Sequence, residues 1–272
     1  MRDGSQDVID IEGPGANVAT LDPRLVNDRL TALLARLGPV RPDACCAGAA
    51  GAEVPAGRAH LARLLEGMFP DCRLAVVHDA RLVLAAAGRE CGIALIAGTG
   101  SVAYGRTADG REAQRGGWGW MLGDEGGGAW VTREAAREVM RRADAGLPPG
   151  PLGDALLAVR GAGDSRQLTA GLHALREPKQ WADVASVVFD TAQADRGAMD
   201  IVLSAASALA GLVRQIQDSL GLDGPVVLAG GLLLHQPRLE AAVRERVASR
   251  CIRLGEPPVE GAVRLAAELL QQ

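Results

Sequence analysis

The sequence predicts an α/β protein in two halves. Three observations carry that reading. Short apolar strands alternate with helix-period segments over residues 8–87, three strands joined by tight turns follow over 93–115, and apolar strands twice end in a glycine turn, at 98–101 and at 230–231. A chain of 272 residues suffices for one large domain or two medium ones. With 48% apolar and 23% charged residues it is ordinary for a soluble globular protein and is not wholly disordered. Thirty-five glycines without a three-residue period exclude collagen.

Taken in order, residues 8–11 read as a strand closed by Gly13-Pro14-Gly15. Asp22-Pro23 is a helix start, with Leu30, Leu33, Leu34 and Leu37 at helical spacing and Gly38-Pro39 as the stop. Residues 43–47 read as a buried strand, Pro55 opens a helix with Leu61, Leu64, Leu65 and Met68 on one face, and 74–77 is a second buried strand leading into a helix over 80–87. The second half runs through strands 93–97, 102–105 and 111–115, the last two joined by the Asp109-Gly110 turn. A mainly helical stretch fills 129–220, broken near Pro148, Gly161 and Pro178. A strand over 225–229, a helix over 237–248, a strand over 251–254 and a helix over 259–270 complete the chain.

The formal charge of −4 argues against nucleic acid or an anionic membrane as the main partner. The longest apolar candidate span, 201–213, is broken by Ser204 and Ser207, and the opening Met-Arg-Asp-Gly-Ser-Gln-Asp has no apolar core, so neither a membrane span nor a secretory signal is expected. Five cysteines without a C-x-x-C pair speak against zinc or redox chemistry, and Cys45 and Cys46 read as small core residues of a reducing compartment. Of only seven aromatics, Trp118, Trp120 and Trp130 crowd together, marking a site or a local core.

Four places could carry chemistry. In Ile96-Ala97-Gly98-Thr99-Gly100-Ser101 an apolar strand delivers a turn whose N–H groups and hydroxyls could meet phosphate oxygens; the plain alternative is a hairpin turn. In the glycine-rich run 116–128, Trp118 or Trp120 could lie on a sugar face and Asp124 could bind hydroxyls, or Asp124 could cap a helix continuing from Glu125. Asp79, at the carboxyl end of a strand, reads as a general base or as the N-cap of the next helix; His78 reads as a surface or strand-end residue. Gly230-Gly231 offers backbone against which a nucleotide could lie flat. His60, His173 and His235 suggest no triad, and Arg141-Arg142 and Arg244-Glu245-Arg246 read as solvated helix faces.

Together these pieces resemble the N-acetylglucosamine kinases of the BadF/BadG/BcrA/BcrD ATPase family, within the actin and hexokinase superfamily. The resemblance runs from about Gly13 to the end. It rests on the 96–101 turn, on Gly116-Gly117-Trp118-Gly119 through Gly123-Asp124-Glu125-Gly126, and on His78-Asp79-Ala80. It implies two ribonuclease-H-like domains flanking a cleft, residues 1–89 with a returning helix at 258–272, and residues 90–257. It implies ATP and Mg²⁺ as cofactors, with no metal ligand identified, an amino sugar as substrate, a cytoplasmic protein and a homodimer. Asp79 would be the catalytic base toward the sugar 6-hydroxyl. Asn17, Gly117, Trp118, Gly119 and Asp124 would hold the sugar. Gly98, Thr99 and Gly100 would form a phosphate loop, and Gly230 and Gly231 the adenosine turn.

The sequence departs from the family in one respect. It has no turn of the type Asp-Gly-Gly-Gly-Thr-Lys-Thr, the family's first phosphate loop; Asp3-Gly4-Ser5 fits the later turn before the third strand. The expectation is that the true start lies upstream, and that a chain begun at Met1 is poorly stable, with negligible kinase activity and partly kept sugar binding. Two other readings stand beside the kinase: a sugar-binding protein without turnover, and an ATPase activating a radical enzyme through an iron–sulfur cluster, for which Cys91 is the only cysteine near the 98–101 turn.

Overall fold

The computed structural model describes residues 9–19 and 21–271. The chain divides into two compact units, Met1–Gly88 with Glu256–Gln272, and Arg89–Gly255.

In the first unit, residues 9–17 carry no regular structure, so the strand expected over 8–11 is not formed at 9–11; Val8 lies outside the described residues. The stretch just after 9–11 is held by side chains instead, Arg36 at the end of the next helix donating to the Glu12 carbonyl and Arg29 to that of Gly15, and Ile9 stays 61% exposed. Helix α1, Pro23–Ala35, starts where Asp22 accepts from the Arg24 N–H at 2.8 Å and proline takes the first turn, where no N–H is needed. Strand β1, Ala44–Ala49, helix α2, Pro55–Met68, and strand β2, Arg73–His78, follow. β1 and β2 run parallel, Ala49 opposite His78. Helix α3, Asp79–Ala86, leaves β2 without a loop. Val18, Val26, Ala52, Leu61 and Leu65 form a small core here. Cys45 and Cys46, expected in a core, are half-buried; burial raises both thiols, Cys46 to about 11, which leaves them unreactive.

The second unit opens with β3, Gly92–Ala97, β4, Ser101–Arg106, and β5, Glu112–Gly116, an antiparallel meander. Six helices come next: α4, Gly128–Asp144, α5, Gly150–Arg160, α6, Ser165–His173, α7, Pro178–Ala182, α8, Ser186–Thr191, and α9, Arg196–Leu220. Strand β6, Val226–Ala229, then pairs parallel to β3. Helices α10, Gly231–His235, and α11, Pro237–Arg246, precede strand β7, Cys251–Arg253, parallel to β6. The order β5-β4-β3-β6-β7 is ribonuclease-H-like. β3 and β6 read as continuous apolar runs because they are buried on both faces.

Helix α9 is long and apolar enough to cross a membrane. In this structure its apolar stripe, Ile201, Val202, Ala205, Leu209, Val213 and Ile216, is buried in the core of the unit. Gly105 of β4 lets the helix come close, since a Cβ there would lie 2.4 Å from Ile216 Cγ2.

The last helix, α12, Pro258–Leu269, belongs to the first unit and packs on α3. Arg264 donates to the carbonyls of Ala85 and Ala86 at 3.0 and 2.7 Å, satisfying backbone acceptors that the end of α3 leaves open. Gly261 makes the approach possible, because a Cβ there would stand 2.1 Å from the Leu82 carbonyl. Gly261→Ala is therefore expected to destabilise the first unit by about 1–3 kcal/mol. Gly211→Ala, where a Cβ on α9 meets nothing within 4 Å, is expected to be neutral or to stabilise by up to about 1 kcal/mol. Urea unfolding of both variants checks the contrast.

Candidate functional site

The residues singled out in the sequence fall into two groups, one in each unit. In the first unit, Asn17 and Asp79 both stand at the carboxyl ends of adjacent parallel strands. The Val18 N–H donates to Ala50 O at 2.9 Å, which ties this stretch to the end of β1, and Asn17 Oδ1 accepts from the Ala19 N–H at 2.9 Å. Gly51, at φ +90°, permits the close approach: a Cβ there would lie 2.4 Å from Ala19 N and 2.8 Å from Asn17 Oδ1.

His78, read as a surface or strand-end residue, is the last residue of β2 and is buried, and the cap reading of Asp79 is corrected: His78 is the N-cap of α3, its Nδ1 accepting from the Ala80 N–H at 3.0 Å. Asp79 is the first helical residue. Its Oδ1 accepts from the same N–H at 2.8 Å and lies 3.0 Å from His78 Nδ1, and the side chain is 42% exposed. Glu53 Oε2 stands 3.7 Å from His78 Nε2 on the far side of the ring. No sequence spacing announced this Glu53–His78–Asp79 row, because Glu53 reaches it from the turn after β1.

In the second unit, three glycine segments meet beyond the carboxyl ends of β3 and β6. Gly230, at φ +92°, turns so tightly that a Cβ would lie 2.4 Å from Ala97 O, and the Cβ position of Gly98 is 3.8 Å from Gly231 N. A Cβ on Gly127 would stand 2.6 Å from the Gly100 backbone. The Gly98 N–H is closed onto Gly100 O at 2.9 Å, so it holds the turn instead of facing outward as expected. The carbonyls of Gly98 and Thr99 accept from the N–H groups of Gly128 and Ala129 at 2.8 and 3.0 Å, which joins the turn to the start of α4.

Asp124 does not cap α4, whose N-cap is Gly127. It adopts φ +56°, its Oδ1 accepts from the Gly119 N–H at 3.1 Å, and a Cβ on Gly100 would fall 2.1 Å from its Oδ2. Its job is thus to bind the glycine loop 117–123 to the 98–101 turn, with Ser101 Oγ donating to Glu125 O at 2.8 Å beside it. Burial pushes the Asp124 carboxyl above the usual carboxylate range, against the bond from Gly119, and neighbouring Glu125 acts in the same direction as burial.

The three clustered tryptophans separate. Trp118 is 77% exposed and heads an open apolar tip with Met121 and Leu122. Trp120 packs on Trp181 of α7, ring centroids 6.0 Å apart at 37°, while Arg133 of α4 donates to the Trp120 carbonyl at 2.8 Å. Trp130 packs against the core. Trp181 and Arg133, which brace the loop, escaped the sequence reading because nothing local marks them. Among the described residues no three His, Cys, Asp or Glu side chains cluster as a metal site.

This fold defines an α/β protein of the actin-like class. The BadF/BadG/BcrA/BcrD ATPase family matches residues 9–265, and the chain belongs to that family. It is 32% identical over 124 residues to an N-acetylmuramic acid/N-acetylglucosamine kinase of Clostridium acetobutylicum, a match covering 44% of this chain and 40% of that one. It is 29% identical over 168 residues to an N-acetyl-D-glucosamine kinase of Dictyostelium discoideum, covering 57% and 52%. The matched stretches thus span about half the length of these curated relatives or less. A crystal structure assigned as an N-acetylglucosamine kinase of Chromobacterium violaceum matches at TM-score 0.73 and 25% identity over 93% of this chain and 88% of that one. One from Porphyromonas gingivalis matches at 0.72 and 21% identity, covering 95% and 90%, and shows the shared fold.

A test of Asp124 follows from its sign. A carboxyl raised by folding favours the protonated form, so its stabilising share is complete below the ordinary carboxylate range and is lost as pH climbs through the raised value. Asp124→Asn, which keeps an acceptor for Gly119, is expected to match wild type in acid and to melt higher than wild type at neutral pH. Thermal unfolding across pH 3–8 measures this.

Proposed function

We propose that this chain forms a sugar-kinase site that transfers the terminal phosphoryl group of ATP to the 6-hydroxyl of an amino sugar, N-acetylglucosamine or glucosamine. The observation that carries the reading is the convergence of the 98–100, 124–128 and 230–231 segments beyond β3 and β6, in a chain of an ATPase family. Glycine stands where the backbones touch, and such surfaces suit phosphates and a flat nucleotide. The names of the two curated relatives support the sugar.

On this reading Gly98, Thr99 and Gly100 receive the phosphates, and Gly230 and Gly231 the adenosine. Asn17, the 117–119 backbone, Trp118 and Asp124 hold the sugar. Trp118, being open to solvent, can lie against a ring face. Asp79 takes the proton of the attacking hydroxyl as its oxygen bonds to phosphorus and the bond to the nucleotide breaks. Mg²⁺ fits as a companion of the nucleotide, held chiefly by phosphate oxygens and water, since the described residues offer no cluster of protein ligands; when bound it would supply charge neutralisation. Ribonuclease-H-like character in both units, a cytoplasmic location and a homodimer belong to the same reading.

Sugar binding without turnover is a second reading. One observation favours it: the sequence contains no Asp-Gly-Gly-Gly-Thr turn. Calorimetry and a coupled ADP assay on the purified chain separate the two. N-acetylglucosamine-dependent ADP release that falls about 10²–10⁴-fold in Asp79→Asn with sugar affinity kept supports the kinase reading and overturns the expectation that a chain begun at Met1 has negligible activity. Sugar binding with no ADP release establishes the second reading, and neither result leaves both without support.

A further inference from the structure

Of the Glu53–His78–Asp79 row the mechanism above uses only Asp79, and the geometry of the row is specific. His78 Nδ1 and Asp79 Oδ1 lie 3.0 Å apart, and both face the single N–H of Ala80, at 3.0 and 2.8 Å. At that separation a proton taken up by the carboxylate can be passed straight to the imidazole nitrogen, which carries no hydrogen while it accepts from Ala80. An imidazole is intrinsically a stronger base than a carboxylate.

We propose that His78 is a positioning residue for Asp79, receiving on Nδ1 the proton that Asp79 takes from the sugar hydroxyl. This rests on the assignment of Asp79 as the base. The hydroxyl O–H bond breaks and an Asp79 O–H bond forms as the hydroxyl oxygen gives its electron pair to phosphorus. The Asp79 O–H then breaks, the His78 Nδ1–H forms, and the carboxylate is restored. Glu53, 3.7 Å from Nε2, faces the buried imidazolium; on product release the proton returns from Nδ1 to Asp79, whose side chain is 42% exposed, and passes to water, which restores both groups. A histidine serving only as a helix cap would need neither acid beside it.

Two measurements on the full chain decide this. The first is the proton affinity of the His78 ring, read by nitrogen NMR during a pH titration, in wild type, Asp79→Asn and Glu53→Gln. The expected result is a loss of about tenfold or more in D79N and a severalfold loss in E53Q; unchanged affinity in D79N overturns the inference even if no variant turns over. The second is steady-state kinetics of His78→Asn, which keeps an acceptor for the Ala80 N–H but holds no proton. H78N is expected to melt like wild type, to keep KM, and to lose about tenfold or more in kcat with an altered pH profile of kcat. Wild-type kcat and pH profile in H78N, with turnover abolished in D79N, sink this inference alone; wild-type turnover in D79N sinks the assignment of Asp79 as base.

Discussion

The structure depends on backbone meeting backbone at positions where a Cβ has no room. Gly230 against Ala97 and Gly127 against Gly100 leave 2.4 and 2.6 Å for a first side-chain atom, distances no Cβ tolerates. These contacts lie where the two most buried strands of the second unit end. The sheet core is what holds them. β3 and β6 are buried on both faces, and α9 presses its apolar stripe onto the meander. Rigid strands thus deliver loops packed backbone to backbone, the surface proposed to receive the nucleotide. Asp124 secures one of these loops at the cost of burying a carboxyl.

The first unit solves a different problem. Its two described strands are short and half-buried, so helices supply much of the packing. Helix α12 closes the unit: it returns some 170 residues after α3 and satisfies the carbonyls at the end of α3 through Arg264. The same helix α3 holds Asp79 at its start, so the packing of α12 and the placement of the proposed base reside in one element.

Much of this was legible in the sequence because the signals are local. Asp22-Pro23 and Pro55 set helix starts through backbone chemistry that a neighbour cannot override. The apolar runs at 93–97 and 226–229 could only be buried strands. What escaped was decided by distant residues. The segment 9–11 has strand composition, yet the stretch just after it is held by the side chains of Arg29 and Arg36. Asp124 looked like a cap by position, but the helix starts later, at Gly128, and Gly119 claims the carboxylate. His78 gave no hint of burial, since its environment depends on Glu53 and on the packing of α3. The pairing of Trp120 with Trp181 spans sixty residues of chain and has no motif at all.

The most direct test of the central claim is an amide NMR titration of the full chain with a non-hydrolysable ATP analogue and Mg²⁺. The account predicts that the largest shifts fall on Thr99, Gly100, Gly127, Gly230 and Gly231, the peptide groups gathered beyond β3 and β6. Saturable binding whose shifts avoid all of these residues, or no binding at millimolar nucleotide, would contradict it.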